Sequence, residues 1–134
     1  MTDPYHGKLC VVTGAASGIG RAVAIDLARR GAALALSDVN EAGLDETRAL
    51  IGDVASNRIR IDRLDVADAD AILRYAASVG ESLGDADYVF NIAGLTRVGR
   101  FEETPLSSVE KIMDVNFWGV VRMTKAFLPQ LIAT

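Results

Sequence analysis

Three glycines, Gly14, Gly18 and Gly20, follow the short apolar run Leu9–Val12 and lead into the helical pattern of Arg21–Arg30. Glycine destabilises regular structure, so this cluster indicates a strand-to-helix turn that needs a bare backbone. At such a turn, backbone N–H groups and the positive end of the helix dipole can bind a phosphate group. We expect Gly14 to permit the tight turn, Gly18 the close approach of a pyrophosphate, and Gly20 the packing of the helix against the strand. An ordinary glycine-rich turn is the alternative.

An acidic residue, Asp38, occurs at the position where a dinucleotide-binding site has one. Asp38 ends the second apolar run, 18 residues after Gly20, close to the distance of about 20 at which an acidic residue binds the adenosine ribose. Its carboxylate can accept hydrogen bonds from both ribose hydroxyls, whereas a 2′-phosphate would meet its negative charge. Val39 and Ser17 occupy the positions where a basic residue would favour NADP. The pattern therefore favours NAD as the cofactor. A helix cap is the alternative role for Asp38.

The elements that position these residues alternate between apolar strands and amphipathic helices. Strands are predicted at Leu9–Val12, Ala33–Ser37, Arg58–Leu64 and Tyr88–Ile92, and helices at Arg21–Arg30, Glu41–Ile51 and Asp68–Leu83. Asp68 is a plausible N-cap of its helix, and Gly84 follows its end. Strands joined through helices imply parallel pairing with right-handed crossovers. The predicted fold is α/β, a Rossmann-type doubly wound parallel sheet in three αβα layers.

A long helix closes the chain. Thr104 and Pro105 resemble an N-cap and a first helical residue, and Ser107 and Glu110 have capping-box spacing. Steps of three or four residues predict a single apolar stripe, formed by Val109, Met113, Asn116, Val120, Met123, Phe127 and Leu131. The amide of Asn116 on that stripe must be satisfied, because an unpaired buried amide costs about 1–3 kcal/mol. A structural hydrogen bond to nearby backbone is one explanation, and a catalytic position is the other.

The composition of the chain limits the classes of function that it can have. The chain has 134 residues, of which 50% are hydrophobic, and a net charge of -4. This predicts one domain over residues 1–134 and argues against nucleic acid or an anionic membrane as a partner, since both select clustered basic residues. No apolar run is long enough to span a membrane, and the opening residues lack the apolar centre of a secretory signal. The single cysteine, Cys10, is predicted to be buried and structural, no metal site is expected, and a cytoplasmic location fits.

The motifs together resemble one family, the short-chain dehydrogenases/reductases. Thr13–Gly20 is similar to its TGxxxGxG cofactor motif, Asp65-Val66 to its adenine-binding acidic pair, and Asn91-Ile92-Ala93-Gly94 to its NNAG motif with Ile92 in place of the second asparagine. Asn116 occupies the position of the helix asparagine, the first member of the family's Asn, Ser, Tyr, Lys catalytic tetrad. In the family this asparagine helps to hold a water molecule, so Asn116 is the candidate catalytic residue. The resemblance implies cofactor contacts at Gly14, Ser17, Gly18, Ile19, Gly20, Asp38, Asp65, Val66, Asn91, Ala93 and Gly94.

The rest of the family's tetrad does not occur in the sequence. Its tyrosine and lysine form a YxxxK motif, whereas Tyr5, Tyr75 and Tyr88 are followed four residues later by leucine, valine and isoleucine. We therefore expect this chain to be the N-terminal, NAD-binding part of an oxidoreductase that interconverts an alcohol and a carbonyl, truncated after the fourth strand and its following helix. The expected substrate is a small alcohol or ketone, and the full-length protein is expected to be a homo-oligomer, a dimer or tetramer.

Two other functions fit parts of the pattern. One is a catalytically silent NAD-binding module, which every residue present would allow. The other is a different parallel α/β ligand-binding protein such as a methyltransferase, against which the spacing of Thr13 and the glycines, Asp65 and the Asn91–Gly94 motif argue together. One rim of the substrate pocket is expected at Leu95–Glu103. Its Arg97 and Arg100 could attract an anion, although exposed loop arginines are usually only solvated.

Overall fold

The computed structural model describes residues 2–53 and 58–134. Within these residues, four parallel strands form one sheet in the order β3-β2-β1-β4. The strands are β1 (Leu9–Thr13), β2 (Ala33–Asp38), β3 (Ile59–Arg63) and β4 (Tyr88–Phe90). The chain leaves β1 for β2 on one side and later returns to pair β4 with the other side of β1. Because the direction of winding reverses there, a crevice opens at the carboxyl ends of β1 and β4.

Helices cover both faces of the sheet. They are α1 (Gly18–Arg29), α2 (Glu41–Ile51), α3 (Ala69–Leu83), α4 (Leu106–Met113) and α5 (Gly119–Ala133), with a short 3-10 turn at Phe101–Glu103. Side chains alternate between the two faces along β1: Cys10 and Val12 pack with α1 and α2, whereas Leu9 and Val11 pack with α3 and α5. The predicted α/β fold with three αβα layers is confirmed.

Capping residues explain where two helices begin and end. Asp68 accepts a hydrogen bond from the Ala71 N–H and starts α3, and Gly84 ends it with a φ of +92°. Asn40 accepts a hydrogen bond from the Gly43 N–H and starts α2, whose bounds agree with the prediction. These caps satisfy N–H groups that the first helical turn leaves unpaired. Local residue type is therefore sufficient to place both helices.

Other predicted bounds are wrong by one to three residues. Helix α1 already begins at Gly18, so the second half of the glycine cluster is helical. Strand β3 is one residue shorter at each end than predicted, and β4 ends at Phe90 instead of Ile92. Strand β4 stops early because the Ile92 and Ala93 N–H groups donate to the Thr13 hydroxyl and not to a neighbouring strand.

The start of the last helix also differs from the prediction. Pro105 is the N-cap residue, with a ψ of 143°, and not the first helical residue. The Thr104 hydroxyl donates to the Arg100 carbonyl of the preceding 3-10 turn, so it does not cap the helix. Ser107 lies inside α4, where the predicted capping box with Glu110 cannot form.

A π-helical turn interrupts the long helix between α4 and α5. It spans Asp114–Trp118 and adds a residue to one turn, which rotates the helix that follows. The predicted stripe is therefore wrong in its middle: Met113 and Val120 are 48% and 37% exposed, and Asn116, expected on the apolar stripe, is exposed as well. The buried residues follow a spacing of four instead, and they are Val115, Gly119, Met123 and Phe127.

Candidate functional site

The glycine-rich turn has the backbone that the sequence predicts. Gly14 has a φ of +67° and Gly18 a φ of +53°, conformations that other residues rarely adopt. A Cβ on Gly14 would lie 2.8 Å from the Ala93 nitrogen, so this glycine also allows β1 and the segment after β4 to approach. A Cβ on Gly20 would overlap the Gly14 carbonyl, so at Gly20 helix α1 packs directly on the backbone of the turn that follows β1. A Cβ on Gly18 would meet no protein atom within 4 Å.

Thr13 joins the glycine turn to the end of β4. Its Oγ1 accepts hydrogen bonds from the Ile92 N–H at 3.0 Å and the Ala93 N–H at 3.1 Å, and it lies 3.5 Å from the Phe90 carbonyl. The side chain is only 2% exposed. One buried hydroxyl therefore holds together the two loops that leave the carboxyl ends of β1 and β4.

Asp38 ends β2 beside the glycine turn. One carboxylate oxygen accepts from the Ala16 N–H at 3.0 Å, and the other from the Asn40 N–H at 3.0 Å. The cap of α2 is the Asn40 side chain, so the alternative role of Asp38 as the helix cap is wrong. A carboxylate offers about four acceptor positions, and two remain here for a ligand.

A cavity of about 490 Å³ opens at these loops. Ten of the eleven predicted cofactor contacts line it: Gly14, Ser17, Gly18, Ile19, Gly20, Asp38, Asp65, Val66, Ala93 and Gly94. Asp65 is held in place because its Oδ1 accepts the Ala67 N–H at 2.9 Å. The structure thus brings together residues from the ends of all four strands, which were widely separated in the sequence.

Asn91 is the predicted contact that does not line this cavity. Its side-chain amide donates to the Thr124 hydroxyl of α5 at 3.3 Å. Asn91 therefore ties α5 to the end of β4. Its role toward a cofactor stays a prediction.

Asn116 lies in the π-helical turn. Its Oδ1 accepts from the Leu95 N–H at 2.7 Å, and its Nδ2 donates to the Leu95 carbonyl at 2.8 Å. The amide is thereby satisfied by nearby backbone, which is the structural explanation considered above. Its neighbours Leu95 and Val115 line the cavity, whereas Asn116 itself does not. The catalytic assignment of Asn116 stays a prediction, and the structure adds that its side chain holds the loop after β4.

The ionisable groups that line the cavity are Asp38, Asp65 and Lys111. None of the tyrosines does so. Tyr75 belongs to α3 and is buried in the core, and this burial raises the pKa of its hydroxyl above the ordinary value. Across residues 2–53 and 58–134, no group of three or more His, Cys, Asp or Glu side chains is arranged to hold a metal ion. What the described cavity residues offer is hydrogen bonding, charge and a helix N-terminus.

The loop predicted as a substrate rim, Leu95–Glu103, adjoins the cavity through Leu95. Its two arginines already have partners: Arg97 donates to the Ser108 hydroxyl at 2.8 Å, and Arg100 lies 3.6 Å from the Glu102 carboxylate. Val98 and Phe101 are 95% and 77% exposed. The accessible surface of this rim is therefore mixed, because the Arg100 and Glu102 side chains are also largely exposed.

Sequence reasoning missed three residues. Arg21 and Thr47 contact the glycine turn from α1 and α2, and Lys111 lines the cavity from α4. A signal existed for Thr47, because a threonine three residues after Leu44 on the apolar face of α2 needs a partner for its hydroxyl. No such signal marked Lys111 as a cavity residue, because an exposed lysine on a helix is common.

Comparison with known proteins adds to this geometry. Residues 8–134 match the sequence profile described as short chain dehydrogenase. SadH of Mycobacterium tuberculosis is 45% identical over 130 residues, which are 97% of this chain and 47% of SadH. An alcohol dehydrogenase from Thermococcus sibiricus, crystallised with 5-hydroxy-NADP, is 36% identical with a TM-score of 0.89; the match covers 96% of this chain and 55% of that one. NAD+-bound xylitol dehydrogenase is 30% identical with a TM-score of 0.90 and is matched over 98% of this chain and 50% of its own.

The chain spans about half the length of each of these three proteins. One of the two structures contains NAD+ and the other an NADP derivative, so similarity alone does not choose between the two cofactors. That choice depends on the residues of this chain's own cavity.

Proposed function

Because the chain belongs to the short-chain dehydrogenase family, we propose that it is the N-terminal, NAD-binding part of an oxidoreductase that interconverts an alcohol and a carbonyl. The observation that carries this proposal is the cavity at the switch point of the sheet, lined by the glycine turn, Asp38, Asp65 and the loop after β4. In open α/β sheets, ligands bind in the crevice at the carboxyl ends of the strands. When bound, the cofactor would supply hydride transfer, and the residues of this chain would hold and orient it.

The residues fit a dinucleotide. The open space over Gly18 leaves the N-terminus of α1 accessible to a pyrophosphate, where the helix dipole and free N–H groups favour negative charge. Ser17 is the N-cap of α1, and its hydroxyl makes no capping hydrogen bond, which leaves it free to donate to a phosphate oxygen. By the family resemblance, Asp65 and Val66 would hold the adenine, and Ala93 and Gly94 would line the cofactor farther along.

Asp38 supports NAD over NADP. Its carboxylate is held at the cavity by two backbone N–H groups, where it would accept hydrogen bonds from the ribose hydroxyls and repel a 2′-phosphate. Arg21, the arginine nearest in sequence to the turn, does not line the cavity and is engaged by Thr47, Ala16, Gly43 and Glu46. Arg21 is therefore held away from a 2′-phosphate beside Asp38, and Lys111 of α4 is the cationic side chain among the described residues that lines the cavity.

Titration calorimetry of the natural gene product with NAD+ and NADP+ tests this proposal. We expect tighter binding of NAD+, and we expect the difference between the two affinities to shrink when Asp38→Asn removes the charge. Asp45→Asn is the matched control, because Asp45 is an exposed residue of α2 that does not line the cavity. Equal or tighter binding of NADP+ by the unaltered protein would contradict the cofactor assignment.

A binding module without turnover is the second candidate for this chain. The observation that favours it is that no tyrosine in the described residues lines the cavity, so the family's proton donor has no counterpart at the site. The two candidates differ in turnover and not in cofactor binding. The small alcohol or ketone substrate and the homo-oligomeric state, dimer or tetramer, remain part of the first proposal.

The cytoplasmic location also stays a proposal. In the portion of the chain that the structure describes, none of the helices has the length and apolar character needed to cross a bilayer.

A further inference from the structure

Arg21 connects the glycine turn with helix α2. Its Nη2 donates to the Ala16 carbonyl at 2.6 Å and to the Gly43 carbonyl at 3.1 Å, while its Nε donates to the Thr47 hydroxyl at 3.0 Å. The same Nη2 lies 3.0 Å from the Glu46 carboxylate, which is largely exposed and contributes little. One guanidinium thus reaches three groups on two elements, which only its planar fork of donors can do.

Thr47 completes this connection from the α2 side. Its side chain is fully buried, and its hydroxyl donates to the Ala15 carbonyl at 2.7 Å, with the Gly43 carbonyl more distant at 3.1 Å. Helix α2 can approach so closely because Gly43 has no side chain: a Cβ there would lie 2.8 Å from the Ala16 Cβ. The carbonyls of Ala15 and Ala16 are therefore both bound on the α2 side of the turn.

The orientation of the Ala15 carbonyl reaches Asp38 through one peptide unit. In a trans peptide, the carbonyl and the following N–H point in opposite directions, and the described residues contain no cis peptide bonds. When the Ala15 carbonyl points to Thr47, the Ala16 N–H points away from it, and this N–H donates to the Asp38 Oδ2 at 3.0 Å. Thr47 thus orients the N–H group that fixes one oxygen of the Asp38 carboxylate, and Arg21 supports Thr47 because its Nε donates to the Thr47 hydroxyl at 3.0 Å.

We propose that Arg21 and Thr47 are positioning residues for cofactor selectivity. Thr47 holds the Ala15 carbonyl and Arg21 holds the Thr47 hydroxyl, and together they orient the Ala16 N–H and, through it, the Asp38 carboxylate that discriminates a ribose hydroxyl from a 2′-phosphate. Neither residue lines the cavity, so both act through the peptide units of the turn. This inference rests on the proposed NAD-binding function and assigns the selectivity of that site to two residues outside it.

The test compares variants that keep the charge of the protein. Thr47→Val keeps the side-chain volume but removes the hydroxyl, and Arg21→Lys keeps the positive charge but loses the fork. The Kd values of NAD+ and NADP+ are measured on the natural gene product, together with the Tm. Since one lost hydrogen bond changes an equilibrium by about three- to tenfold, we expect the Kd of NAD+ to rise by that factor. We also expect the ratio of the NADP+ Kd to the NAD+ Kd to fall, because a loosened Asp38 repels the 2′-phosphate less.

Two controls separate positioning from folding. Thr47→Ser retains the hydroxyl and is expected to keep the selectivity ratio of the unaltered protein. Arg60→Lys changes another partly buried arginine, which binds Asp62, the Ser78 carbonyl and the Ser82 hydroxyl away from the cavity. It is expected to lower the Tm without changing the ratio.

The outcomes that would overturn the inference can be told apart from failure of the proposed function. A lowered Tm with an unchanged selectivity ratio in both Thr47→Val and Arg21→Lys would show that these residues only support the fold. An unaltered protein that binds neither NAD+ nor NADP+ would overturn the proposed function and this inference together. NAD+ binding that both variants leave unchanged would overturn the inference alone.

Discussion

Replacing Thr13 with valine isolates the hydrogen bonds that join the two cofactor loops. Valine has almost the shape of threonine and suits a buried strand, so the substitution leaves the packing of β1 in place. It removes the acceptor of the Ile92 and Ala93 N–H groups, which lie 3.0 and 3.1 Å from the Thr13 hydroxyl. Neither N–H has another partner in its own strand, because β4 ends at Phe90.

The expected loss of stability follows from these two groups. A backbone N–H left without a partner costs about 1–3 kcal/mol when fully buried, and both residues here are half-buried, so we expect about 2–3 kcal/mol in total. For a domain of this size about 1 kcal/mol lowers the Tm by roughly 3–5 °C, so the expected fall is about 6–15 °C. Urea unfolding followed by circular dichroism measures the free energy, and a thermal melt measures the Tm.

Thr124→Val is the matched control. It makes the same chemical change at an exposed position of α5. The Thr124 hydroxyl accepts one hydrogen bond, from Asn91 at 3.3 Å. We expect this variant to change the free energy of unfolding by less than about 0.5 kcal/mol, as for most surface substitutions. If Thr13→Val were no less stable than Thr124→Val, the argument that the Thr13 hydroxyl holds the two loops together would be refuted.

Three further predictions follow from the site and its surroundings. Gly18→Val is expected to abolish NAD+ binding measured by calorimetry, because the valine side chain would enter the space over the N-terminus of α1. Gly52→Val is the control, since Gly52 also has a positive φ of +62° and open space around it but lies at the end of α2. This variant is expected to retain binding. Burial raises the pKa of the Cys10 thiol from 9.0 to about 12, so the stability this group contributes is full below about pH 9 and is lost as the pH rises toward 12. Urea midpoints should therefore fall more steeply over that range in the unaltered protein than in Cys10→Ala, and parallel curves would contradict this. The 134-residue chain alone is expected to show no hydride transfer at the nicotinamide absorbance, because neither Tyr75 nor Tyr88 lines the cavity to act as the family's proton donor. Turnover that is lost on changing Tyr88 or Lys125 would overturn this expectation.

Local residue patterns were enough to predict the fold and most of the cavity. The apolar runs, the Asp68 cap and the glycine after α3 place elements within a few residues, because each signal acts over a single helical turn or strand. The alternation of strands and helices then leaves few topologies, and the carboxyl ends of parallel strands meet at one edge of the sheet. For this reason Asp38, Asp65 and the glycines could be assigned to one cavity before their distances were known.

The features that local patterns could not predict depend on contacts between distant segments of the chain. The π-helical turn has no local signal; it forms where Asn116 can pair with the Leu95 backbone while Val115 stays buried. Asn91 turns toward Thr124 because α5 packs beside the end of β4. The connection of Arg21 to Thr47 joins two helices whose residues are 26 positions apart in the chain. A sequence shows which side chains need partners, but only the packing of helices on the sheet determines which partners lie within hydrogen-bond distance.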